Sequence, residues 1–340
     1  MHLKSTSDET TTEIHHHRRQ SPIPVAAVLL YGLALVAFWF AAQHFNMEER
    51  IGGHLPSTFA SFALLFTPYW FFGFGLDETL RHRLFSPASR VLAPAVLLIP
   101  YLIFALPRGE FRFFYAVILV AIPVGLAALF EFVPPQSNRL AWQDVVALVV
   151  VGFPVEFRLL AGSWPHSGLS ALPKILLVDS ALYVFLVLRR LEGVGFDFRP
   201  RLRDLAIGLR EWTFYAPIAI GLGLALGFIR FHAGWPPLSK ALSALLITFF
   251  FVAIPEELFF RGLLQNLLEA RIGRANAWVT ASVIFGLSHF NKPLPFNWRY
   301  VLLATIAGLF YGRAWRDRRR LLTSGTTHTL VDVVWSLWFR

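Results

Sequence analysis

Long apolar runs are the sequence feature that most constrains how this chain can fold. About eleven follow one another, each close to the 17 to 25 residues that a helix needs to cross a bilayer. They begin near Ile23, Ser57, Ser89, Phe113, Trp142, Pro173, Thr213, Ala241, Ala275, Tyr300 and Gly325. Because a spanning helix satisfies its own backbone hydrogen bonds, the pattern predicts an all-α, polytopic membrane helical bundle of about 11 transmembrane helices.

The composition agrees with a membrane protein. Of the 340 residues, 56% are hydrophobic and 15% are charged, which is too apolar for a water-soluble domain of this size. The fifth run is the least secure, because Asp144, Pro154 and Glu156 interrupt it. The chain has no cysteine, which excludes disulfides and thiolate catalysis and leaves His and carboxylate side chains as metal ligands.

The distribution of Lys and Arg predicts an orientation. If the N-terminus is cytoplasmic and all eleven runs cross, 21 of the 31 basic residues lie on the cytoplasmic side, as the positive-inside rule requires. We interpret the chain as a multi-pass integral protein of the plasma (inner) membrane. The net charge of +10 then reflects topology and attraction to anionic lipid headgroups. The lipid bilayer is therefore an expected partner and nucleic acid is not.

Changes in composition divide the chain into four parts. Its start is polar and includes three adjacent histidines, which we interpret as solvated and not as a metal site. A basic stretch with Gly and Pro separates the first six runs from the last five. The predicted parts are a disordered cytoplasmic tail at 1–22, an accessory six-helix membrane region at 23–190, a basic cytoplasmic linker at 191–212 and a second membrane domain at 213–340.

The eighth run ends in "IPEELFFRGLL", which carries two adjacent acids where ionisable groups are costly. Glu257 and Arg261 are separated by four residues, so they share one face of a helix and are expected to form an ion pair. Glu256 is rotated about 100° from Glu257 and is free to face elsewhere. The motif therefore predicts two different roles for its two carboxylates.

Further ionisable residues lie in the ninth and eleventh runs. His289 belongs to "IFGLSHFN", and His328 and Asp332 belong to "GTTHTLVDVVW", one helical turn apart on one face. A turn at Gly273 would put Glu256 and His289 about 24 Å from it on antiparallel helices, and therefore at the same depth. We expect the glutamate and both histidines to meet in a pocket open to the cytosol.

The three motifs "EELFFR", "FGLSH" and "HTLVD" resemble, in this order, those of the CPBP family of intramembrane proteases. That family includes the CAAX prenyl proteases and the bacterial Abi or bacteriocin-processing proteins. The resemblance covers roughly residues 205–340 and leaves the first six runs unexplained. It implies an intramembrane endopeptidase whose partner is a membrane-associated protein or peptide substrate.

The resemblance also implies roles for individual residues. Glu256 and His289 would activate water, and His328 with Asp332 would support the oxyanion. The supporting residues would be Glu257, Arg261 and Phe285. An ionised Asp332 departs from the amide that the family also uses, because it cannot donate a hydrogen bond to an oxyanion. At this position we expect it to orient His328 and keep it protonated, or to serve a metal from outside its ligand shell.

Several alternatives remain open from the sequence. Glu256, His289 and His328 would also make a His₂Glu zinc set with water in the fourth position, although metal-independent water activation is favoured. A non-catalytic membrane scaffold of the same fold is a second function, and a transporter is a third that the missing internal repeat argues against. Asp179 is an isolated acid in the sixth run, for which we expect a structural hydrogen bond.

Overall fold

The chain is mostly helical in the residues described by the computed structural model, which are 24–137, 139–292 and 296–339. In these ranges it forms no β-strand, and the all-α prediction is confirmed. The predicted tail at 1–22 lies outside the described residues. The helices are α1 (Val25–His44), α2 (Met47–Arg50), α3 (Leu55–Phe72), α4 (Leu76–Arg83), α5 (Pro87–Arg108), α6 (Phe113–Phe132), α7 (Trp142–Glu156), α8 (Ala171–Leu188), α9 (Leu202–Ala225), α10 (Leu238–Ile272), α11 (Arg274–Leu287), α12 (Trp298–Arg318) and α13 (Leu321–Trp338).

Each of the eleven apolar runs falls within one of these helices, but the number of membrane crossings differs from the prediction. Within the described residues, five helices are long and apolar enough to span a bilayer, namely α1, α5, α6, α8 and α10. A sixth span results if α3 and α4, which are bent by 93° at their junction, count as one. The helices α7 and α11, with 15 and 14 residues, are too short, so the count of eleven is not confirmed.

Aromatic side chains of α3 pack against those of α10. Phe66 of α3 is fully buried and its ring lies 5.6 Å from that of Phe250. Phe62, one turn earlier, lies 5.8 Å from Phe251. The outer face of α1 is instead exposed and apolar, as lipid contact requires. The phenylalanine-rich runs therefore serve both as packing surface and as lipid-facing surface.

Glycines allow the C-terminal helices to approach one another closely. A Cβ on Gly286 of α11 would lie 2.7 Å from the Val301 carbonyl oxygen of α12, and one on Gly308 would lie 3.0 Å from Ser282 Cα. Small residues at such crossings are typical of membrane helix pairs. The turn expected at Gly273 is where α10 ends, with φ at +80°, a value that favours glycine. These contacts hold α11 beside α12 and place its C-terminal end.

Residues 189–201, which we call the linker segment, lack regular secondary structure and contact both halves of the chain. The Phe198 amide donates to the Gly73 carbonyl at 2.9 Å, and the Leu321 amide donates to the Gly195 carbonyl at 2.9 Å. Gly195 has a φ of +76°, and a Cβ there would lie 2.1 Å from the Arg319 carbonyl oxygen. The segment, which joins α8 to α9 along the chain, therefore also bonds to the turn between α3 and α4 and to the start of α13.

The α10 helix is long and irregular at the two-glutamate motif. Its 35 residues correspond to about 52 Å, which exceeds the roughly 30 Å of the hydrocarbon core, so part of it extends beyond the core. Two π-helical stretches, Phe249–Ala253 and Leu258–Gln265, flank the single α-helical turn Ile254–Glu257. Such π turns widen a helix locally and occur often at functional sites. The motif thus lies where the backbone departs from the regular helix.

Candidate active site

The two adjacent carboxylates of α10 have different surroundings. The Glu257 side chain is completely buried, whereas 21% of the Glu256 side chain is exposed. Successive residues of a helix point about 100° apart, so one acid can face the helix bundle while the next faces a cavity. The two roles expected for the pair thus correspond to two different environments.

Glu257 is the centre of a buried charge network. Its Oε1 lies 3.2 Å from Arg261 Nη1 and accepts a 2.9 Å hydrogen bond from His328 Nδ1. Arg261 also donates from Nη2 to the Gly308 carbonyl at 3.2 Å, and its guanidinium lies 4.5 Å from the centre of the Phe285 ring. Each charge in this network has an opposite charge or a carbonyl beside it, which buried charges require.

His328 is held between carboxylates. Its Nε2 lies 3.5 Å from Asp332 Oδ2 and 3.9 Å from Glu256 Oε2, while Nδ1 is bonded to Glu257. The Tyr311 ring stacks on the imidazole with 4.6 Å between centroids and an interplanar angle of 17°. With an acid facing each ring nitrogen, the arrangement suits an imidazolium that donates from both nitrogens.

His289 lies in the turn just after α11, two residues beyond the last residue of that helix, Leu287. Its Nδ1 donates to the Phe285 carbonyl at 2.8 Å, so Nε2 is the acceptor of the neutral ring. The imidazole packs edge-on against Phe285 at 4.9 Å and against Tyr300 at 4.8 Å. Among the described residues no ion pair within 4 Å joins His289 to Glu256. The two groups expected to activate water therefore lie near the same network without direct contact.

Two cavities meet the network from different sides. The smaller, with a volume of about 90 Å³, is lined by His289, His328 and Asp332 and is walled by the aromatic residues of α9, α12 and α13. The larger, with a volume of about 420 Å³, is lined by Glu256 and by residues of α7 and α8. The exposed glutamate thus opens toward the N-terminal half of the chain, while the histidines open toward the C-terminal half.

Comparison with known proteins locates the resemblance along the chain. Residues 237–334 match the family model described as Rce1-like, type II CAAX prenyl endopeptidase. Because of this similarity we call residues 237–334 the Rce1-like segment. It contains the whole charge network, and it confirms the resemblance to CPBP proteases that the three motifs indicate. The similarity supports an intramembrane protease with a membrane-associated peptide or protein substrate. No curated protein and no solved structure matches the chain significantly.

The structure adds residues that the motifs do not contain. Tyr311 lies inside the Rce1-like segment, and the Gly308-x-x-x-Gly312 spacing around it is a packing signal that could have drawn attention to it. Lys174 of α8 lies outside that segment and lines the larger cavity with Glu256. A lone cation within an apolar run is the signal for Lys174, by the same reasoning that singled out Asp179.

Three other charged residues, Glu156, Lys292 and Asp179, lie outside the charge network around Glu257. Glu156 of α7 lies 3.6 Å from Lys292 and lines the larger cavity with it. Asp179 does not join the network. It lies beside a third cavity of about 330 Å³, and within the described residues its buried carboxyl oxygens have no hydrogen-bond partner. The structural hydrogen bond expected for Asp179 is therefore absent from the described part of the chain.

The zinc set that the sequence leaves open as an alternative is not assembled in this arrangement. Within the described ranges no group of three His, Asp or Glu side chains is placed to hold a metal ion. His328 Nε2 is 3.9 Å from Glu256, and His289 makes no contact with either residue among the ion pairs of the site. Zinc requires its donors to converge at about 2.0 to 2.2 Å from one point. In the Rce1-like segment these three side chains therefore do not converge in a way that would bind zinc.

Proposed function

We propose that this protein is an intramembrane endopeptidase that hydrolyses a peptide bond of a membrane-associated protein or peptide. The observation that carries the proposal is the unequal burial of two adjacent acids, with Glu257 enclosed and Glu256 partly exposed on a 420 Å³ cavity. An enclosed acid bonded to Arg261 supports the fold, while an exposed one can meet water and substrate. This division is what a general base beside a structural ion pair requires.

Glu256 acts as the base of the reaction. It takes a proton from water, the resulting hydroxide attacks the peptide carbonyl, and the same proton then passes to the leaving amine when the C–N bond breaks. His289 assists through Nε2, which its Nδ1 bond to the Phe285 carbonyl leaves available. Since no direct contact joins the two residues, they act on the water from two sides.

His328 supports the developing oxyanion. Glu257 holds Nδ1, so Nε2 is the nitrogen that donates toward the negative oxygen of the tetrahedral intermediate. Asp332, 3.5 Å from Nε2, orients the ring and favours its protonated form, and it cannot itself donate when ionised. Removing one oxyanion donor commonly costs about 10² to 10³ in kcat.

The proposal extends to the surroundings of the site. The protein is an integral membrane protein, and we place its N-terminus in the cytoplasm of a cell whose inner or plasma membrane holds it. Residues 213–340 form the catalytic membrane domain, residues 191–212 connect it, and residues 23–190 form an accessory region. Water activation proceeds without a metal ion in this mechanism.

The decisive experiment is hydrolysis by purified protein in liposomes. Its substrates are a prenylated peptide with a C-terminal CAAX sequence, the same peptide without the prenyl group, and a leader peptide. We expect wild type to cleave at least one of them and Glu256→Gln to lose at least about 10³-fold in kcat. Substantial turnover by Glu256→Gln would remove Glu256 from the mechanism. A folded wild type that cleaves none of the three would favour a non-catalytic scaffold.

A further inference from the structure

Pro255, immediately before the two glutamates, leaves backbone carbonyls of α10 without their usual donor. A proline has no N–H, so neither the α-helical bond to the Phe251 carbonyl nor the π-helical bond to the Phe250 carbonyl can form at this position. A carbonyl without a donor is costly inside a membrane protein, where water does not replace the lost bond. Both oxygens therefore need partners from elsewhere in the chain.

The N-terminal half supplies both partners. Tyr69 of α3 donates its hydroxyl to the Phe250 carbonyl at 3.1 Å, and Lys174 of α8 donates from Nζ to the Phe251 carbonyl at 3.1 Å. These residues lie 181 and 77 positions from their acceptors. Two helices that lie outside the Rce1-like segment thus complete the hydrogen bonding of the turn that carries Glu256.

Lys174 differs from Tyr69 because it also brings a positive charge to the larger cavity. The charged groups lining that cavity are Glu156, Lys174, Glu256 and Lys292, and Lys292 pairs with Glu156 at 3.6 Å. Among the described residues no carboxylate lies within 4 Å of Lys174. Glu256 follows Phe251 by five residues, about 7 Å along the helix axis. The ammonium therefore acts on Glu256 across the cavity and not through a contact ion pair.

We propose that Lys174 is a positioning residue for Glu256: it fixes the backbone before the motif through the Phe251 carbonyl and places a positive charge on the cavity wall that the two side chains share. This inference rests on the proposed function, in which Glu256 is the base. It assigns a part of the active site to α8, which lies outside residues 237–334. The accessory region is thereby a component of the hydrolytic site as well as a membrane anchor.

Three substitutions separate the two parts of this role. Lys174→Arg keeps the charge and the donors, Lys174→Gln keeps a donor without the charge, and Lys174→Met keeps neither. Tyr69→Phe is the matched control, because it removes the donor from the neighbouring Phe250 carbonyl without changing the charge of the cavity. Each is assayed in liposomes with the peptide that wild type cleaves, and kcat, KM and Tm are measured.

We expect kcat to fall at least tenfold in Lys174→Met, with KM within about threefold of wild type, because a misplaced base slows the chemical step more than binding. The kcat of Lys174→Gln should lie between those of Lys174→Met and wild type. The kcat of Lys174→Arg should be close to that of wild type. Tyr69→Phe should lower Tm and reduce kcat less than Lys174→Met does, because it removes a donor from α10 but no charge from the cavity.

Several outcomes would overturn the inference. One is a kcat of Lys174→Met within twofold of wild type. Another is equal loss of kcat in Lys174→Met and Tyr69→Phe, which would indicate general support of α10. A wild-type kcat in Lys174→Gln would contradict the role of the charge. If Lys174→Met does not fold, the kcat of Lys174→Gln alone tests the inference. Absence of hydrolysis by wild type would instead contradict the proposed function itself.

Discussion

Glu256 and Glu257 have the same side chain, and the surroundings of each decide what its loss costs. We expect Glu256→Gln to abolish hydrolysis with little change in Tm, because Glu256 lies on the cavity and makes no hydrogen bond among the described residues. Glu257→Gln should instead destabilise the fold by about 3 to 5 kcal/mol, since it leaves Arg261 buried without its counter-charge. The measurements are liposome hydrolysis and thermal unfolding of both variants.

The two variants serve as controls for each other, because both replace a carboxylate by an amide of the same size at neighbouring positions. A Glu257→Gln protein with wild-type Tm would show that Glu257 contacts water or substrate. The assignment of the two acids would then have to be reversed.

Substitutions of Asp332 distinguish between two roles for this residue, orienting His328 or supporting a bound metal ion. Asp332→Asn should keep kcat within about tenfold of wild type, because its amide oxygen remains beside the His328 ring that it orients and its NH₂ can donate to the oxyanion. Asp332→Leu has neither group and should lose considerably more. Hydrolysis by these variants is compared with wild type in detergent, with and without a strong chelator, and with elemental analysis of the purified protein.

A zinc enzyme would behave differently in this experiment. Loss of an acid outside the metal's ligand shell commonly weakens metal affinity about 10- to 100-fold, so Asp332→Asn would need added zinc. Stoichiometric zinc together with chelator-sensitive hydrolysis would refute the metal-free mechanism. Full activity after removal of metal would leave Glu256 and His289 as the water-activating groups.

At the scale of the element, the α11–α12 contact depends on the absence of a side chain. Gly286→Ala should destabilise the protein by about 1 to 3 kcal/mol, because its Cβ would lie 2.7 Å from the Val301 carbonyl oxygen, a backbone atom. It should also lower kcat, since a shift of α11 moves His289. Gly221→Ala on α9 is the control, because a Cβ there has no heavy atom within 4 Å.

For the control we expect unchanged stability or a gain of up to about 1 kcal/mol, as alanine is the better helix former. Thermal unfolding and hydrolysis of both variants measure the difference. Equal behaviour of the two variants would mean that α11 and α12 adapt to the added methyl group, contrary to close packing at this crossing.

The positions of the helices could be predicted from the sequence, whereas their internal irregularities could not. Each apolar run falls in a helix because burial and lipid contact both demand apolar residues over a length set by the bilayer. The π turns at Phe249–Ala253 and Leu258–Gln265 leave no signature, since they shift the hydrogen-bond partner by one residue without changing the composition. The glycine turn at Gly273 was predictable because its backbone angle restricts the residue type.

The site was predictable to the extent that it is local. Glu257 with Arg261 and His328 with Asp332 are pairs within one helix, and helical spacing places their members together. Lys174 stands out in the sequence as a lone cation in an apolar run, but its bond to the Phe251 carbonyl was not predictable, because that carbonyl lies 77 residues away. The depth of His289 follows from counting residues, but its separation from Glu256 depends on helix rotation, which a residue count does not fix.

At the scale of the whole molecule, the orientation in the membrane can be tested because the natural chain has no cysteine. Single cysteines at Glu49 and Gln136, which are both exposed, should lie on opposite sides. If the N-terminus is cytoplasmic, a membrane-impermeant maleimide should label Glu49→Cys in intact cells and Gln136→Cys only after permeabilisation. The cysteine-free parent protein gives the background.

The opposite labelling pattern would invert the topology, and labelling of both positions in intact cells would place them on the same side. The second result would mean an even number of crossings between α1 and α7, in line with the count of five spanning helices, in which α3 and α4 do not cross. The labelling thus tests this part of the topology independently of the charge distribution.

The larger cavity has one wall from the Rce1-like segment and another from α7 and α8. A small molecule bound there would touch Glu256 on one side and Val149, Phe153 or Lys174 on the other. Only the first wall belongs to the part of the chain that resembles CAAX prenyl endopeptidases. Inhibitors built outward from the glutamate toward Val149 and Phe153 would therefore gain selectivity for this protein over relatives that share only the catalytic segment.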